Sequence, residues 1–303
     1  MKAKVILAAL VLVLLGVGTV WALNAEGRKG IYYEPLETDM LKQPQDSTSQ
    51  KACSLLFYNG KIYTCSTLTR ICSTNSLKEF NQMFHKMQLE EISDVYTYDA
   101  AYWSTDKTLL YEPKEEHGRY AKDEGKLYKT KDYPQNRLCI CNKSEYPLIS
   151  DKNDQIVYTI EIFTCLNGIT LNQGKELFQD ILRLEEIENI TAWKWENFAT
   201  DGRGPKVLVK PDEELFSSFL SALNEGKLLS AENASEIIEK IEEEEGYIIW
   251  EFSNCFVFED SYGVKEIVHI LPNGYGVFFS PEGTPFMVQF DAKLYEQLVK
   301  KYF

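Results

Sequence analysis

The sequence contains few of the residues and motifs from which enzymes usually build active sites. It has three histidines, His85, His117 and His269, which lie far apart along the chain. It has no glycine-rich phosphate-binding loop and no G-x-S-x-G motif, so it lacks the common nucleotide-binding and serine-hydrolase signatures. Ser104 and Lys107 have S-x-x-K spacing in "STDK", but no S-D-N or K-T-G motif accompanies them. We therefore predict no catalytic residue.

Basic residues are scarce as well. The chain has 32 Lys and Arg against 46 Asp and Glu, which gives a net charge of −14 at pH 7. A surface this acidic repels phosphate backbones, so we predict no nucleic-acid partner. The segment "DKNDQIVYTIEI" begins like a calcium-binding EF-hand loop, with Asp151 and Asn153 at ligand positions. Ile156 and Ile162 stand where that loop needs glycine and glutamate, so we predict a simple turn before a strand.

Cysteine is rare for a disulfide-stabilised protein, with seven in 303 residues. The closest pair, Cys139 and Cys141 in "NRLCICNKS", has C-x-C spacing and no second close pair to complete a typical zinc site. On a strand these two side chains share one face, while Leu138 and Ile140 share the other. Both faces are then apolar, which is typical of a central strand, because free cysteine packs as a small hydrophobic residue. We predict buried thiols, with a disulfide and a metal site as the alternatives, and no cofactor.

The chain begins with a long apolar segment. Lys2 and Lys4 precede Val5–Leu23, which is 19 residues without a charge. As a helix this segment would be about 28 Å long, close to the hydrocarbon thickness of a bilayer. The two lysines favour a cytoplasmic N-terminus. We predict a single-pass membrane anchor through residues 5–23 with the rest of the chain extracytoplasmic; the alternative is a secreted protein, cleaved near Ala22 or Ala25.

Turn signals and composition divide the chain into four predicted parts. The predicted fold class is α+β, with the N-terminal transmembrane or signal helix followed by two mainly antiparallel-sheet domains and a few packed helices. The boundary between the domains is placed at "TDGRGPK", which contains two glycines and a proline. The parts are an anchor or signal peptide (1–25), a polar tether (26–51), a strand-rich α+β domain (52–200) and a second α+β domain (203–303).

The first domain is predicted to open with a β-hairpin. The dipeptide Asn-Gly at 59–60 favours a type I′ turn, which places Cys65 opposite Ser54. A disulfide from Cys53 to Cys65 would then need a bulge. A helix over "SLKEFNQMFHKMQL" begins with a capping box. After it we predict the strands "VYTYDAAYW", "GKLYKT", "RLCICN" and "QIVYTIEIFTCL", a short helix "QGKELFQDIL" and a strand "NITAWKWENF".

The second domain is predicted to consist of two helices, an antiparallel meander and a C-terminal helix. Pro211 fits the first turn of the first helix, and the glutamate-rich end of the second, "EKIEEEEG", is predicted to be a solvated face. The last helix is capped by Asp291. The meander is predicted from "YIIWEF", "CFVFED", "VKEIVHIL", "GYGVFF" and "TPFMVQF".

Several segments together carry a resemblance to known proteins: "FYNGKIYT", "CLNGITLNQGKELFQDIL", and "DGRGPKVLVK" with "FLSALNEG" and "ILPNGYGVFF". They resemble a group of exported or membrane-anchored proteins of Gram-positive bacteria to which no function is assigned. The similarity covers most of residues 54–303, and its motifs are turns and core segments. The resemblance implies a location in the cell envelope and transfers no residue roles.

The function predicted from these observations is binding. We predict a membrane-tethered extracytoplasmic protein whose partner is an envelope protein or a small ligand, with no catalytic, cofactor-binding or metal-binding residue assigned. One alternative is an envelope hydrolase that uses carboxylates. The other is an accessory or sensor subunit that acts with a membrane partner.

Overall fold

The part of the chain described by the computed structural model is an α+β fold in which strands predominate, as predicted. The structure describes residues 30–42, 53–65, 70–99, 102–110, 123–131, 133–134, 137–146, 155–195, 203–249 and 253–303. In these ranges no helix combines the length and the apolar character needed to cross a membrane. The apolar segment 5–23 lies outside the described residues.

Sixteen strands and four α-helices are present in these ranges. The strands are β1 (Ile31–Tyr33), β2 (Ser54–Tyr58), β3 (Lys61–Cys65), β4 (Arg70–Thr74), β5 (Glu90–Asp99), β6 (Tyr102–Ser104), β7 (Asp123–Lys129), β8 (Arg137–Tyr146), β9 (Gln155–Thr164), β10 (Ile169–Leu171), β11 (Asn189–Trp195), β12 (Arg203–Val209), β13 (Cys255–Glu259), β14 (Lys265–Leu271), β15 (Tyr275–Phe279) and β16 (Pro285–Gln289). The helices are α1 (Leu77–Lys86), α2 (Glu214–Glu225), α3 (Ala231–Glu245) and α4 (Ala292–Tyr302). Shorter 3₁₀ helices span Thr38–Lys42, Lys107–Leu109 and Leu184–Glu186, and Lys175–Ile181 forms a π-helix.

Seven strands of the first sheet close into a ring, which we call the barrel. The sheet has the order β3-β2-β6-β5-β7-β8-β9-β4, and β3 also pairs with β9 where Thr64 lies opposite Thr164. All its neighbouring strands are antiparallel except β2 and β6, which are parallel. Each of the seven strands β2, β3 and β5–β9 therefore has a paired neighbour on both sides. The eighth strand, β4, is not part of the ring and pairs with β9.

The barrel is filled by apolar side chains from all seven of its strands. Buried apolar side chains stabilise the fold because they are removed from water. On the outer surface, α1 packs over β7 and β9 and covers a second apolar cluster. The interior residues are Leu56, Tyr63, Cys65, Val95, Trp103, Leu127, Leu138, Phe163 and, just after β9, Cys165.

The second sheet is a six-stranded antiparallel meander with helices on both faces. Its order is β12-β11-β13-β14-β15-β16. One face packs against α2, α4 and the π-helix through a core that includes Phe216, Phe219 and Phe256. The other face packs against α3 through Ile238 and Ile241. β11 belongs to this sheet, so the strand before the predicted boundary at "TDGRGPK" and the strand after it are direct neighbours.

The segment predicted as a tether (26–51) contains residues that pack on the second sheet and on the barrel. β1 pairs with β10, and the Tyr33 ring stacks on Phe286 with centroids 4.2 Å apart. Leu41 is fully buried beside the outer surface of β2 and β3. The apolar residues of this segment show no periodicity, because Tyr33 and Leu41 each pack into a core formed by distant parts of the chain while Tyr32 and Met40 remain exposed.

The predicted hairpin is confirmed in turn position and register. Asn59 and Gly60 both have positive φ, 52° and 75°, as a type I′ turn requires. Ser54 lies opposite Cys65. Ser76 caps α1 by accepting a hydrogen bond from the Glu79 N–H at 3.3 Å, which confirms half of the predicted capping box. The other half would be a bond from the Ser76 N–H to Glu79. The Ser76 N–H donates to the Thr74 hydroxyl at the end of β4.

Three predictions about individual elements are wrong. "VYTYDAAYW" was predicted as one strand, but β6 turns back on β5 and pairs with it antiparallel, a reversal that no glycine or proline signals. "YIIWEF" is not a strand over 247–249, because Gly246 ends α3 with left-handed φ and the Ile249 N–H donates to Glu242 at 2.9 Å. Pro211 lies before α2 in a turn closed by the Glu213 N–H.

Candidate functional site

A cleft of about 510 Å³ lies between the barrel and the second sheet, and we call it the barrel–sheet cleft. Its first wall is the turn between β7 and β8, which supplies Tyr133, Pro134 and Arg137. Its second wall is the turn between β13 and β14, and its third is the segment 181–189 that leads into β11. A volume of this size is typical of small-molecule sites, which often lie where two structural units meet.

A buried ion pair joins the first two walls. The Arg137 N–H donates to the Pro134 carbonyl at 2.9 Å, which closes the turn and directs the side chain into the cleft wall. Arg137 Nη2 donates to Glu266 Oε1, and the two side chains are only 4% and 7% exposed. Burial raises the pKa of Glu266, and the neighbouring guanidinium opposes that rise. Arg137 Nε is also buried, and it has no hydrogen-bond partner among the described residues.

Asp260 forms a second link between the same two walls. The Tyr133 hydroxyl donates to Asp260 Oδ2 at 2.7 Å. Asp260 Oδ1 accepts the Tyr262 and Val264 N–H groups at 2.8 and 3.0 Å, which fixes the β13–β14 turn. The Tyr133 and Tyr262 rings meet edge to face with centroids 6.0 Å apart. Asp260 therefore holds both the turn and the aromatic pair beside the cleft.

Further contacts hold the barrel against the second sheet. Val264 is buried in the apolar cluster beneath α1. Lys86 on α1 donates to the Ser261 carbonyl. Away from the cleft, the Thr64 hydroxyl on the barrel donates to Glu282 Oε2 at 2.6 Å. The cleft walls are thus positioned by apolar contacts and by hydrogen bonds that involve charged groups.

The third wall combines an apolar surface with charged groups. Arg183 has left-handed backbone geometry, with φ 55°, and its Nε donates to Glu186 Oε1 at 2.8 Å. Glu188 is exposed on the same segment and forms no ion pair with a described residue. Five carboxylates line the whole cleft against two guanidinium groups, an excess of three negative charges. Its apolar lining includes Ile181, Leu182, Ile187 and Val264.

A second polar group is buried in the six-stranded sheet. Ser253 Oγ and His269 Nδ1 are hydrogen-bonded at 2.7 Å, and Cys255 lies directly opposite His269 on the neighbouring strand. Burial lowers the pKa of His269 to about 4 and raises the pKa of the Cys255 thiol to about 12. A nucleophilic cysteine needs the reverse shifts, toward thiolate and imidazolium. This group is therefore a buried neutral pair that stabilises the sheet.

The burial of neutral His269 predicts a loss of stability in acid. The unfolded chain has an ordinary histidine pKa, so protonation favours unfolding as the pH falls from about 6.5 toward 4. We expect His269→Asn, which keeps a hydrogen-bonding group near Ser253, to remove about 2 kcal/mol of the change in unfolding free energy between pH 7 and pH 5. Urea denaturation at a series of pH values measures this difference. His85→Asn, at an exposed position on α1, is the matched control; an equal effect from both substitutions would contradict the prediction.

The residues singled out from the sequence lie apart from the cleft. Cys139 and Cys141 are on β8, which lies between β7 and β9, so the predicted central strand is confirmed. Their side chains are outside the described part of the structure, and their burial stays a prediction. Ser104 Oγ donates to the Asp106 carbonyl, while the Lys107 ammonium lies over the Tyr96 ring, so the S-x-x-K pair is not assembled.

The metal-type residues also remain separate where they are described. His85 lies on α1 and His269 is buried in the second sheet, whereas His117, Asp151 and Asn153 fall outside the described residues. Within the described ranges, no three His, Cys, Asp or Glu side chains are grouped in a way that could hold a metal ion.

Four cleft residues carried a weak signal or none in the sequence. Glu266 shares one face of its strand with Val268 and Ile270, so a charge on an apolar face could have indicated a buried partner. Tyr133, Arg137 and Asp260 belong to turns, and the sequence does not show that these turns meet. Comparisons with protein-family models, curated proteins and solved structures found no match. The functional inference therefore rests on the geometry of the cleft, and the resemblance to exported proteins stays a prediction.

Proposed function

We propose that this protein is a membrane-tethered, extracytoplasmic binding protein of the cell envelope, and that it binds its ligand or partner in the barrel–sheet cleft. The membrane anchor at residues 5–23 and the division into two extracytoplasmic domains are part of this proposal. The observation that carries the binding function is the composition of the cleft, in which a polar, charged lining surrounds an apolar wall and an aromatic pair. Such a mixture orients a ligand by a few polar groups while the apolar surface supplies contact area.

The state of the two central carboxylates supports binding over hydrolysis. A carboxylate that acts as a general base or nucleophile must be accessible to water or substrate. Asp260 is fixed by three hydrogen bonds, and Glu266 is 5% exposed and paired with Arg137. Both groups therefore act as fixed parts of the cleft walls.

A carboxylate hydrolase is the second candidate function. Glu266 favours it, because burial raises the pKa of its carboxyl as in a general acid. Asp260 is close enough to raise that pKa further. A hydrolase would release product from an envelope substrate, and Glu266→Gln would abolish that activity while Glu259→Gln would leave it unchanged.

Photo-crosslinking in intact cells tests the binding function. We expect p-benzoylphenylalanine at position 189, on the exposed rim of the cleft, to capture a partner or ligand on irradiation. A captured protein appears as a shifted band, and a captured small molecule appears as a mass increase of the intact chain. The control places the same group at position 236, which is exposed on α3 and does not line the cleft.

Two results would overturn this proposal. One is the absence of any adduct at position 189, and the other is an equal pattern of adducts at positions 189 and 236. Protease added outside intact cells tests the location in the same strain. It should digest the ectodomain while the N-terminal fragment stays with the membrane fraction, and full protection of the chain would refute export.

A further inference from the structure

We propose that the ligand of the barrel–sheet cleft is a short peptide with a free ammonium group, in which a carbonyl or carboxylate oxygen accepts the Arg137 Nε–H and the ammonium group lies against Glu188. This inference rests on the proposed binding function and names the class of ligand. It follows from one unpartnered donor, one excess of negative charge and one apolar wall, all in the same cleft.

The donor is the first feature. Arg137 is 5% exposed, its Nη2 is bound to Glu266, and its Nε has no hydrogen-bond partner among the described residues. A buried N–H without an acceptor is unfavourable, so a ligand that brings an oxygen atom to it gains free energy. Nε and Nη2 lie on the same edge of the guanidinium plane, which is the edge that recognises carboxylate and amide oxygens.

The charge of the cleft is the second feature. Arg137 is paired with Glu266, and Arg183 is paired with Glu186. Glu188 remains on the rim without an ion pair to a described residue. A purely anionic ligand would be repelled by the excess of carboxylates, whereas a ligand that carries an ammonium group beside its acceptor oxygen fits both groups.

The apolar surface of the cleft between Arg137 and Glu188 is the third feature. Ile181, Leu182 and Ile187 supply an apolar surface on the third wall, and the Tyr133–Tyr262 pair faces the cleft from the other side. A peptide has alternating amide and apolar groups, so it can bury its side chains and methylene groups here while its polar ends remain hydrogen-bonded. A sugar or an inorganic ion lacks this combination.

Thermal unfolding of the full chain in detergent micelles tests the inference. The probe is an equimolar mixture of Ala-X-Ala tripeptides, compared with the same mixture N-acetylated. We expect the free mixture to raise Tm by at least about 2 °C at saturation, and the acetylated mixture to raise it by less than half as much, because acetylation removes the ammonium group. The shift is measured within each variant, so a change in intrinsic stability does not affect it.

Three variants locate the contacts. Arg137→Lys keeps a positive charge beside Glu266 but removes the Nε–H, and we expect it to weaken peptide affinity at least about tenfold. Glu188→Gln removes the rim charge and should erase the preference for the free amine. Glu236→Gln removes one exposed charge on α3 and should leave the peptide-induced shift unchanged.

The outcomes separate this inference from the binding function on which it rests. Equal shifts with the free and acetylated mixtures, or a full shift in Arg137→Lys, would overturn the inference. No shift with either mixture, together with an adduct at position 189, would also overturn it and leave the binding function standing. No shift and no adduct would overturn both.

Discussion

Arg137→Met is expected to lower the free energy of unfolding by about 3–5 kcal/mol, because it leaves the Glu266 charge buried without its partner. Glu266 is 5% exposed on the sheet face that carries Val268 and Ile270, so water cannot replace the lost ion pair. The penalty depends on pH. Without the guanidinium, the raised pKa of Glu266 rises further, so protonation favours the folded state, and the penalty is expected to shrink as the pH falls from 8 to 5.

The double variant Arg137→Met, Glu266→Met is the matched test of this mechanism. Two apolar side chains of similar size replace a buried ion pair at little cost, so we expect the double variant to recover most of the stability lost in the single one. Urea denaturation followed by tryptophan fluorescence measures all three proteins. A double variant as unstable as Arg137→Met would show that the loss arises from packing of the arginine side chain and not from an unpaired charge.

Phe256→Ala is expected to lower the free energy of unfolding by about 3–5 kcal/mol, because it opens a cavity at the centre of the largest core cluster. Phe256 is fully buried on β13. Its ring contacts Phe216 and Phe219 of α2, each with centroids 5.1 Å apart, and Tyr302 of α4 at 5.6 Å. These helices cannot collapse into the space without breaking their other contacts with the sheet, so the cavity remains.

Leu208→Ala is the control for this prediction. Leu208 is also a large apolar residue on a strand of the same sheet, but it is 68% exposed at the β12 edge. Its truncation removes little buried surface, and we expect a change within about 0.5 kcal/mol. Chemical denaturation of both variants measures the contrast. Similar losses in the two would show that the packing around Phe256 is not rigid.

The features that the sequence predicted correctly are those determined by neighbouring residues. Asn59 and Gly60 tolerate positive φ, so the hairpin and its register follow from two residues. Ser76 and Asp291 each accept a backbone N–H within three residues, so the starts of α1 and α4 follow from capping. The strand-like segments over 255–289, separated by short turns, likewise predict the meander, because each strand pairs with the next one along the chain.

The errors occur where a long-range contact outweighs a local preference. Ile249 is β-branched and apolar, as strand residues often are, but it is buried in a cluster with Leu271, Val277 and Met287 of the second sheet. The β2–β6 pairing is parallel and joins strands more than forty residues apart, so no turn residue announces it. β1 was not recognised because its partner β10 lies over a hundred residues further along the chain.

The sequence by itself determined the α+β class, the hairpin, the helix caps and the acidic character of the molecule, because these depend on composition and on residues close together in the chain. The tertiary structure decided the closure of the barrel through Thr64 and Thr164 and the position of the cleft. It also decided that Arg137 meets Glu266, 129 residues away. Neither residue carries a motif, and a buried charge becomes a functional candidate only when folding places its partner and a cavity beside it.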